Sequence, residues 1–219
     1  MNRNGEGQAK AKRKVSKPGQ GKARNTFVEV PCIIGIDQSY MRTGISICVN
    51  GEIKKLYSLD FRTTKYKTVK RNKLRQVLGK AIEACLKKFE PQEVNIICER
   101  VRTFTASTDM RPEVIKAQSA LVAIIVDAAF AYGVKVFSVD TRHWKTRILG
   151  TSRPIFEPIE GVKNPQKFGS VRKMIDLGFY NELYSSSGRG FTLNDDVADA
   201  GCISLYGFSG RPYQLLLET

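Results

Sequence analysis

The chain has 219 residues, enough to bury one good core, and its 42% hydrophobic content is that of an ordinary globular protein. Its charge is not ordinary: 36 Lys and Arg against 21 Asp and Glu give +15, which points to a polyanionic partner, nucleic acid first. No apolar stretch reaches transmembrane length, no apolar leader is expected at the start, and a lone histidine, His143, speaks against a zinc site. A membrane protein, a secreted protein and a zinc enzyme are therefore set aside.

Residues 1–26 carry Arg3, Lys10, Lys12, Arg13, Lys14, Lys17, Lys22 and Arg24 against one acid, Glu6. With almost no apolar residues they are expected to be a disordered basic tail that binds phosphates. An organelle transit peptide ranks second, because Ser content and amphipathicity are low. Residues 27–219 are expected to be one domain. Cys32, Cys48, Cys85, Cys98 and Cys202 form no Cys-x-x-Cys pair and lie in apolar runs. They read as small buried hydrophobes in a reducing, cytoplasmic setting.

The first predicted strand, from Cys32, is apolar until it ends on Asp37. Such a run is buried on both faces, and a carboxylate at its mouth needs a partner or a metal. The plainer reading is an acid that caps the turn. A second strand spans Thr43–Asn50, and Asn50-Gly51 is a strong hairpin signal leading into a third, Glu52–Phe61. Residues 68–89 show helical periodicity, with Leu74, Leu78, Ile82 and Cys85 on one stripe, and Pro91 ends the helix.

Val94–Glu99 repeats the first strand's pattern, an apolar run ending on a carboxylate. The polar loop after it holds one aromatic, Phe104, which could stack on an unpaired base or simply anchor the loop. A helix runs from Pro112 to about Tyr132 and is apolar nearly all round, so it is expected to pack on the sheet and on a second subunit. Val134–Val139 is a fifth strand. A short helix, Thr141–Leu149, follows, then a loop with prolines, then a helix from near Gln166 to Gly178. His143 reads as helix surface. The last helix opens on Leu193-Asn194-Asp195-Asp196-Val197-Ala198-Asp199, capped by Asn194 or Asp195. Asp196 and Asp199 share a face. Two acids suit a helix N-terminus, but Asp199 falls in the apolar part of the pattern, where a bare charge is costly.

These elements fit an α/β fold with a five-stranded mixed sheet, order 3-2-1-4-5, its first three strands antiparallel, flanked by helices. Strands one and four would then be parallel neighbours, and Asp37 and Glu99 would emerge about 4.8 Å apart. The last helix can lay Asp196 and Asp199, or Asp195 in place of Asp196, across the same edge. Four carboxylates in one site call for hard divalent cations, Mg²⁺ with Mn²⁺ substituting. Two such ions about 3.5–4 Å apart suit in-line phosphodiester hydrolysis.

Ile34-Gly35-Ile36-Asp37 with Thr43-Gly44, then Cys98-Glu99, then Asp196-Val197-Ala198-Asp199-Ala200 resemble the acidic motifs of RuvC-type Holliday junction resolvases, within the RNase H-like superfamily. Lys116-Ala117-Gln118 to Gly133 resembles that family's central helix, which implies a homodimer through residues 113–132. Trp144-Lys145-Thr146-Arg147-Ile148-Leu149-Gly150 is similar to its lysine segment, which implies that Lys145 serves catalysis. The resemblance covers roughly Cys32 to Gly207. Gln38 stands where the family commonly has proline, the loop from Thr151 to Lys167 is longer, and Lys167 is one position off the family's second basic residue.

The expected function is a Mg²⁺-dependent nuclease resolving four-way junctions by paired nicks, in the cytoplasm, of the host if the chain is phage-encoded. Asp37, Glu99, Asp196 and Asp199 would hold two metal ions. Arg100, Arg102, Phe104, Arg142, Lys163, Lys167 and Arg172 would contact DNA. The rivals are a flap, fork or RNA–DNA hybrid nuclease on the same fold, and a junction-binding protein without catalysis.

Overall fold

A computed structural model describes residues 30–39, 41–61, 67–101, 112–153, 157–187, 190–209 and 213–214. The basic tail, residues 1–26, and the loop residues Arg102 and Phe104 lie outside that set.

The chain builds one mixed sheet between two layers of helices. Strands β1 (Cys32–Gln38), β2 (Arg42–Val49) and β3 (Glu52–Asp60) form an antiparallel meander. Its second turn has positive φ at both Asn50 (50°) and Gly51 (81°), as a type I′ hairpin requires. Helix α1 (Lys67–Leu86) returns the chain to β4 (Val94–Glu99), which lies parallel to β1. Helix α2 (Pro112–Phe130) leads to β5 (Lys135–Val139), parallel to β4. Then come α3 (Thr141–Leu149), α4 (Phe168–Asp176), the single turn α5 (Tyr180–Leu183) and a two-stranded hairpin of β6 (Tyr184–Ser187) and β7 (Gly190–Leu193). Helix α6 (Asp195–Ser209) and a short β8 (Tyr213–Gln214) close the described chain. The sheet order is β3-β2-β1-β4-β5-β8.

The expected five strands are present in the expected order, 3-2-1-4-5, with helices on both faces. Four features differ from the sequence reading. The sheet gains a sixth strand, whose two residues are too short to carry a periodic signal. The hairpin β6–β7 and the turn α5 were not foreseen. The helix expected from Gln166 to Gly178 is a 3-10 turn, Pro165–Lys167, followed by α4. The helices expected over 68–89 and to about Tyr132 stop at Leu86 and Phe130.

Strand periodicity sorts side chains between the two faces. Cys32, Ile34 and Ile36 of β1 join Leu74, Leu78 and Ile82 of α1 and Ile125 of α2 in one core. Ile33 joins Trp144 of α3, Met174 of α4 and Val197 and Ile203 of α6 in the other. Each fully buried Ile or Leu contributes about 1.5–3 kcal/mol of apolar transfer energy, so both layers are held by ordinary burial. The five cysteines are buried free thiols. Among the described residues, no helix is long and apolar enough to cross a membrane.

Two glycines set how close α6 lies. A Cβ on Gly44 would stand 2.1 Å from the Asp196 carbonyl oxygen, and one on Gly35 would stand 2.4 Å from that of Ala200. Both contacts are with helix backbone, so α6 rests directly on β1 and β2 only because these positions lack a side chain. Ser46 and Ser204 complete the contact through a buried 2.8 Å hydrogen bond.

Candidate active site

Three elements deliver four acids to one place. β1 and β4 run in register up to Ile36 and Cys98, so Asp37 and Glu99, the next residue on each, leave the sheet side by side. Asp37 is paired across the meander with Gly44, the position on which the start of α6 rests. Asn194 fixes that start by accepting from the Val197 N–H at 3.2 Å and donating to Ser58 of β3 at 2.6 Å. Of the two caps foreseen, Asn194 is the one used. Asp196 and Asp199 thus come down onto Asp37.

Lys167 ties the group together. Its Nζ lies 3.3 Å from Asp37 Oδ2 and 3.8 Å from Asp196 Oδ1, and it donates to Asp199 Oδ2. It is placed by the 3-10 turn Pro165–Lys167, where Asn164 accepts from the Gln166 N–H at 3.0 Å. Glu99 is steadied from α3, whose Thr141 hydroxyl donates to Glu99 Oε1.

Burial dominates the electrostatics. It pushes the Asp37 carboxyl well above the usual range against the opposing pull of Lys167, and Glu99 and Asp199 push the same way. Burial also raises Glu99, and it raises Asp196 to about 6. For Lys167 burial alone would depress the ammonium, but the charges of Asp37 and Asp199 outweigh it and the ammonium is held well above its ordinary value. One ammonium faces three carboxylates, so their mutual repulsion is only partly offset.

The donor set suits a hard cation. All four ligand candidates are oxygens, and Asp199 Oδ1 is buried with no hydrogen-bond partner, a cost that a cation would relieve. As the side chains stand, no group of three or more His, Cys, Asp or Glu is gathered to hold an ion among the described residues. The Lys167 ammonium lies where the carboxylates converge. The residues fit a divalent cation once that ammonium gives way.

The remaining residues singled out by the sequence lie around this point or outside it. Lys145 on α3 donates to the Gln166 carbonyl at 3.0 Å, next to Lys167, and its charge acts on Glu99. Lys167, expected from the sequence to contact DNA, faces the carboxylates of Asp37, Asp196 and Asp199 in this DNA-free structure. It is Asp196, of the pair Asp195 and Asp196, that carries the contact with Lys167. Arg100, Arg142 and Lys163 are exposed. Arg172 pairs with Glu157 at 3.6 Å with both side chains largely in solvent, a contact of little energy. His143 is exposed on α3, as expected. Thr141 was missed, although Glu99 pairs with Val139 and so brings the start of α3 beside it.

A mixed sheet of this order, flanked by helices, with acids at the ends of β1 and β4 and at the start of the last helix, is an RNase H-like architecture. More narrowly, the chain has a RuvC-type fold. It is similar to a structure of Thermus thermophilus RuvC at TM-score 0.55 and 14% identity, covering 84% of this chain and 99% of that one. It is also similar to T. thermophilus RuvC in complex with a Holliday junction substrate, at TM-score 0.56 and 16% identity with the same coverage. No family model and no curated protein matches the chain.

Proposed function

We propose that this chain is a divalent-metal-dependent endonuclease that nicks branched DNA, four-way junctions first. The observation that carries this reading is that Asp37, Asp196 and Asp199 face one lysine, with Glu99 leaving the sheet beside Asp37, in a chain whose net charge is +15. A basic body draws in DNA, while a buried acidic pit serves catalysis rather than binding, since unscreened carboxylates repel phosphate. The RuvC-type fold, seen elsewhere around a Holliday junction, adds support.

Asp37, Glu99, Asp196 and Asp199 would hold Mg²⁺, or Mn²⁺ in its place, as two ions. When bound, such ions stabilise the attacking and leaving oxygens of an in-line displacement. The chain's own residues do the rest. Thr141 and the buried strand ends hold the carboxylates in place. Lys145, at the rim beside Gln166, sets positive charge near the scissile phosphate. Arg100, Arg142 and Lys163 contact phosphates, as do Arg102 and the tail of residues 1–26, which precedes the nuclease domain of residues 27–219. Phe104 stacks on a base at the opened crossover. The protein acts as a homodimer through α2, where Phe130 is 72% and Val114 40% exposed. Two-fold symmetry then gives paired cuts on opposite strands. It works in a cytoplasmic compartment.

One gel tests this. A synthetic four-way junction, a flap and an RNA–DNA hybrid are incubated with the protein, with and without Mg²⁺, beside Asp37→Asn and Glu99→Gln. Symmetrical nicks on the junction, dependent on Mg²⁺ and lost in both variants, are expected. Preference for the flap or hybrid moves the substrate to that rival. Junction binding indifferent to Mg²⁺, with no product, makes the chain a binding protein.

A further inference from the structure

Glu99 is the last residue of β4, one step past the register that joins β4 to β1. That register ends at Ile36 and Cys98. Beyond it, the side chain of Gln38 takes over the part of a strand. Its Oε1 accepts from the Glu99 N–H at 3.1 Å, and its Nε2 donates to the Glu99 carbonyl. A carboxamide offers one acceptor and a donor in the geometry of a peptide group, so the side chain extends the parallel ladder by one residue. Gln38 is 4% exposed, which shields both bonds from water.

Other residue types do not serve here. Asparagine is one methylene short. Methionine has the length and no hydrogen bonds. Glutamate keeps an acceptor but loses the donor, and it adds a fifth carboxylate to a cluster that already carries surplus charge. Proline, which the resemblance would place here, offers neither group.

Glu99 is therefore fixed at two points, its backbone by Gln38 and its carboxylate by Thr141. Gln38 itself follows Asp37, so one short segment carries one acid and anchors another. We propose that Gln38 is a positioning residue: by clamping the Glu99 backbone to β1, it sets the spacing of the Glu99 and Asp37 carboxylates for a divalent cation. This inference rests on the metal-dependent nuclease reading above. Residues that orient metal ligands typically change metal affinity or activity by about 10–100-fold when removed.

The test uses the full chain with Gln38→Met and Gln38→Asn. Mn²⁺ affinity is measured by calorimetry without DNA, amide exchange of Glu99 by NMR without metal, and junction cleavage across a Mg²⁺ titration. Expected are Mn²⁺ binding weakened about 10–100-fold, faster Glu99 exchange, and a higher Mg²⁺ requirement with the rate largely recovered at saturation. The thermal midpoint should stay near that of wild type, because a merely structural role would lower it and leave the Mn²⁺ affinity of the folded protein alone. Wild-type Mn²⁺ affinity in a folded variant overturns the inference while leaving the nuclease reading intact. If Gln38→Met does not fold, Gln38→Asn decides. If neither folds, Gln38 is structural and the inference fails. A wild type that binds no Mn²⁺ and cuts nothing overturns both.

Discussion

On one face of the sheet, Cys32, Ile34 and Ile36 meet Leu74, Leu78 and Ile82 of α1. On the other, Ile33, Gly35 and Asp37 of the same strand face α6. The first face, up to Ile36, packs apolar side chain against apolar side chain. The second gives up side chains at Gly35 and Gly44, so that helix backbone touches strand backbone, and it buries Asp37, Ser46, Asp199 and Ser204. Apolar burial holds both faces, and the second spends part of that stability on a cluster of like charges. A single strand can do both because its residues alternate sides.

Substitutions on the two faces should separate accordingly. The largest effect is expected on the acidic side: Asp37→Asn should lower junction cleavage by about 10²–10³-fold, the scale of losing a preorganised charge at a reacting phosphate. The same change should raise the thermal midpoint of the metal-free chain, since it removes a buried, repelled charge. A variant that is both active and no more stable would erase the distinction between the faces. On the apolar side, Ile34→Ala should cost about 2–5 kcal/mol in denaturant unfolding and leave Mn²⁺ affinity unchanged. A change in metal affinity there would show that the two faces are coupled. Gly44→Ala crosses the divide. It pushes α6 off β2, with a loss of about 1–3 kcal/mol and reduced Mn²⁺ affinity together, measured on the same sample.

The pH dependence sharpens the contrast. Burial raises Asp196 to about 6, and an acid whose folded-state value exceeds its unfolded one favours the fold in its protonated form. That contribution is complete below the ordinary carboxylate range and is lost as pH rises through about 6. The thermal midpoint of the metal-free chain should therefore fall from about pH 5 to pH 7, and Mg²⁺ should abolish the fall. A flat profile without metal would remove Asp196 from the cluster. The smallest effect belongs to Ser46→Ala. It removes one buried hydrogen bond to Ser204, worth about 1 kcal/mol in an unfolding titration, with cleavage unchanged.

Much of this was legible in the chain. The hairpin at Asn50-Gly51, the apolar runs ending on Asp37 and Glu99, and the Asp196–Asp199 spacing each carry a local signal, and the sheet order that fits them is the one the family resemblance implies. What they do not carry is the division of labour within β1. Cys32 to Ile36 is apolar at nearly every position, so its alternation between faces is invisible until the helices are placed. Gly35 and Gly44 could be quoted as part of a motif, but their task, admitting helix backbone, is a long-range contact. The contact of Lys167 with the acids escaped for another reason. Its direction is set by a 3-10 turn after a long proline-containing loop, and such a turn reverses a side chain without any periodic trace. Thr141 and Gln38 act through the ends of strands, where a one-residue error in a boundary hides the contact.

Lys167 also changes what loading the site means. A pit lined by four acids is never electrically bare in this chain, because it holds a counter-ion that is covalently tethered and cannot diffuse away. On the proposed reading, a divalent ion that entered would have to exchange with that resident rather than fill a vacuum. The first exchange would change the charge of the pit by one unit, not two, and would leave the Lys167 ammonium on a short leash at its mouth. Affinity for the metal would then be a difference between two cations, set by the chain as much as by the ion.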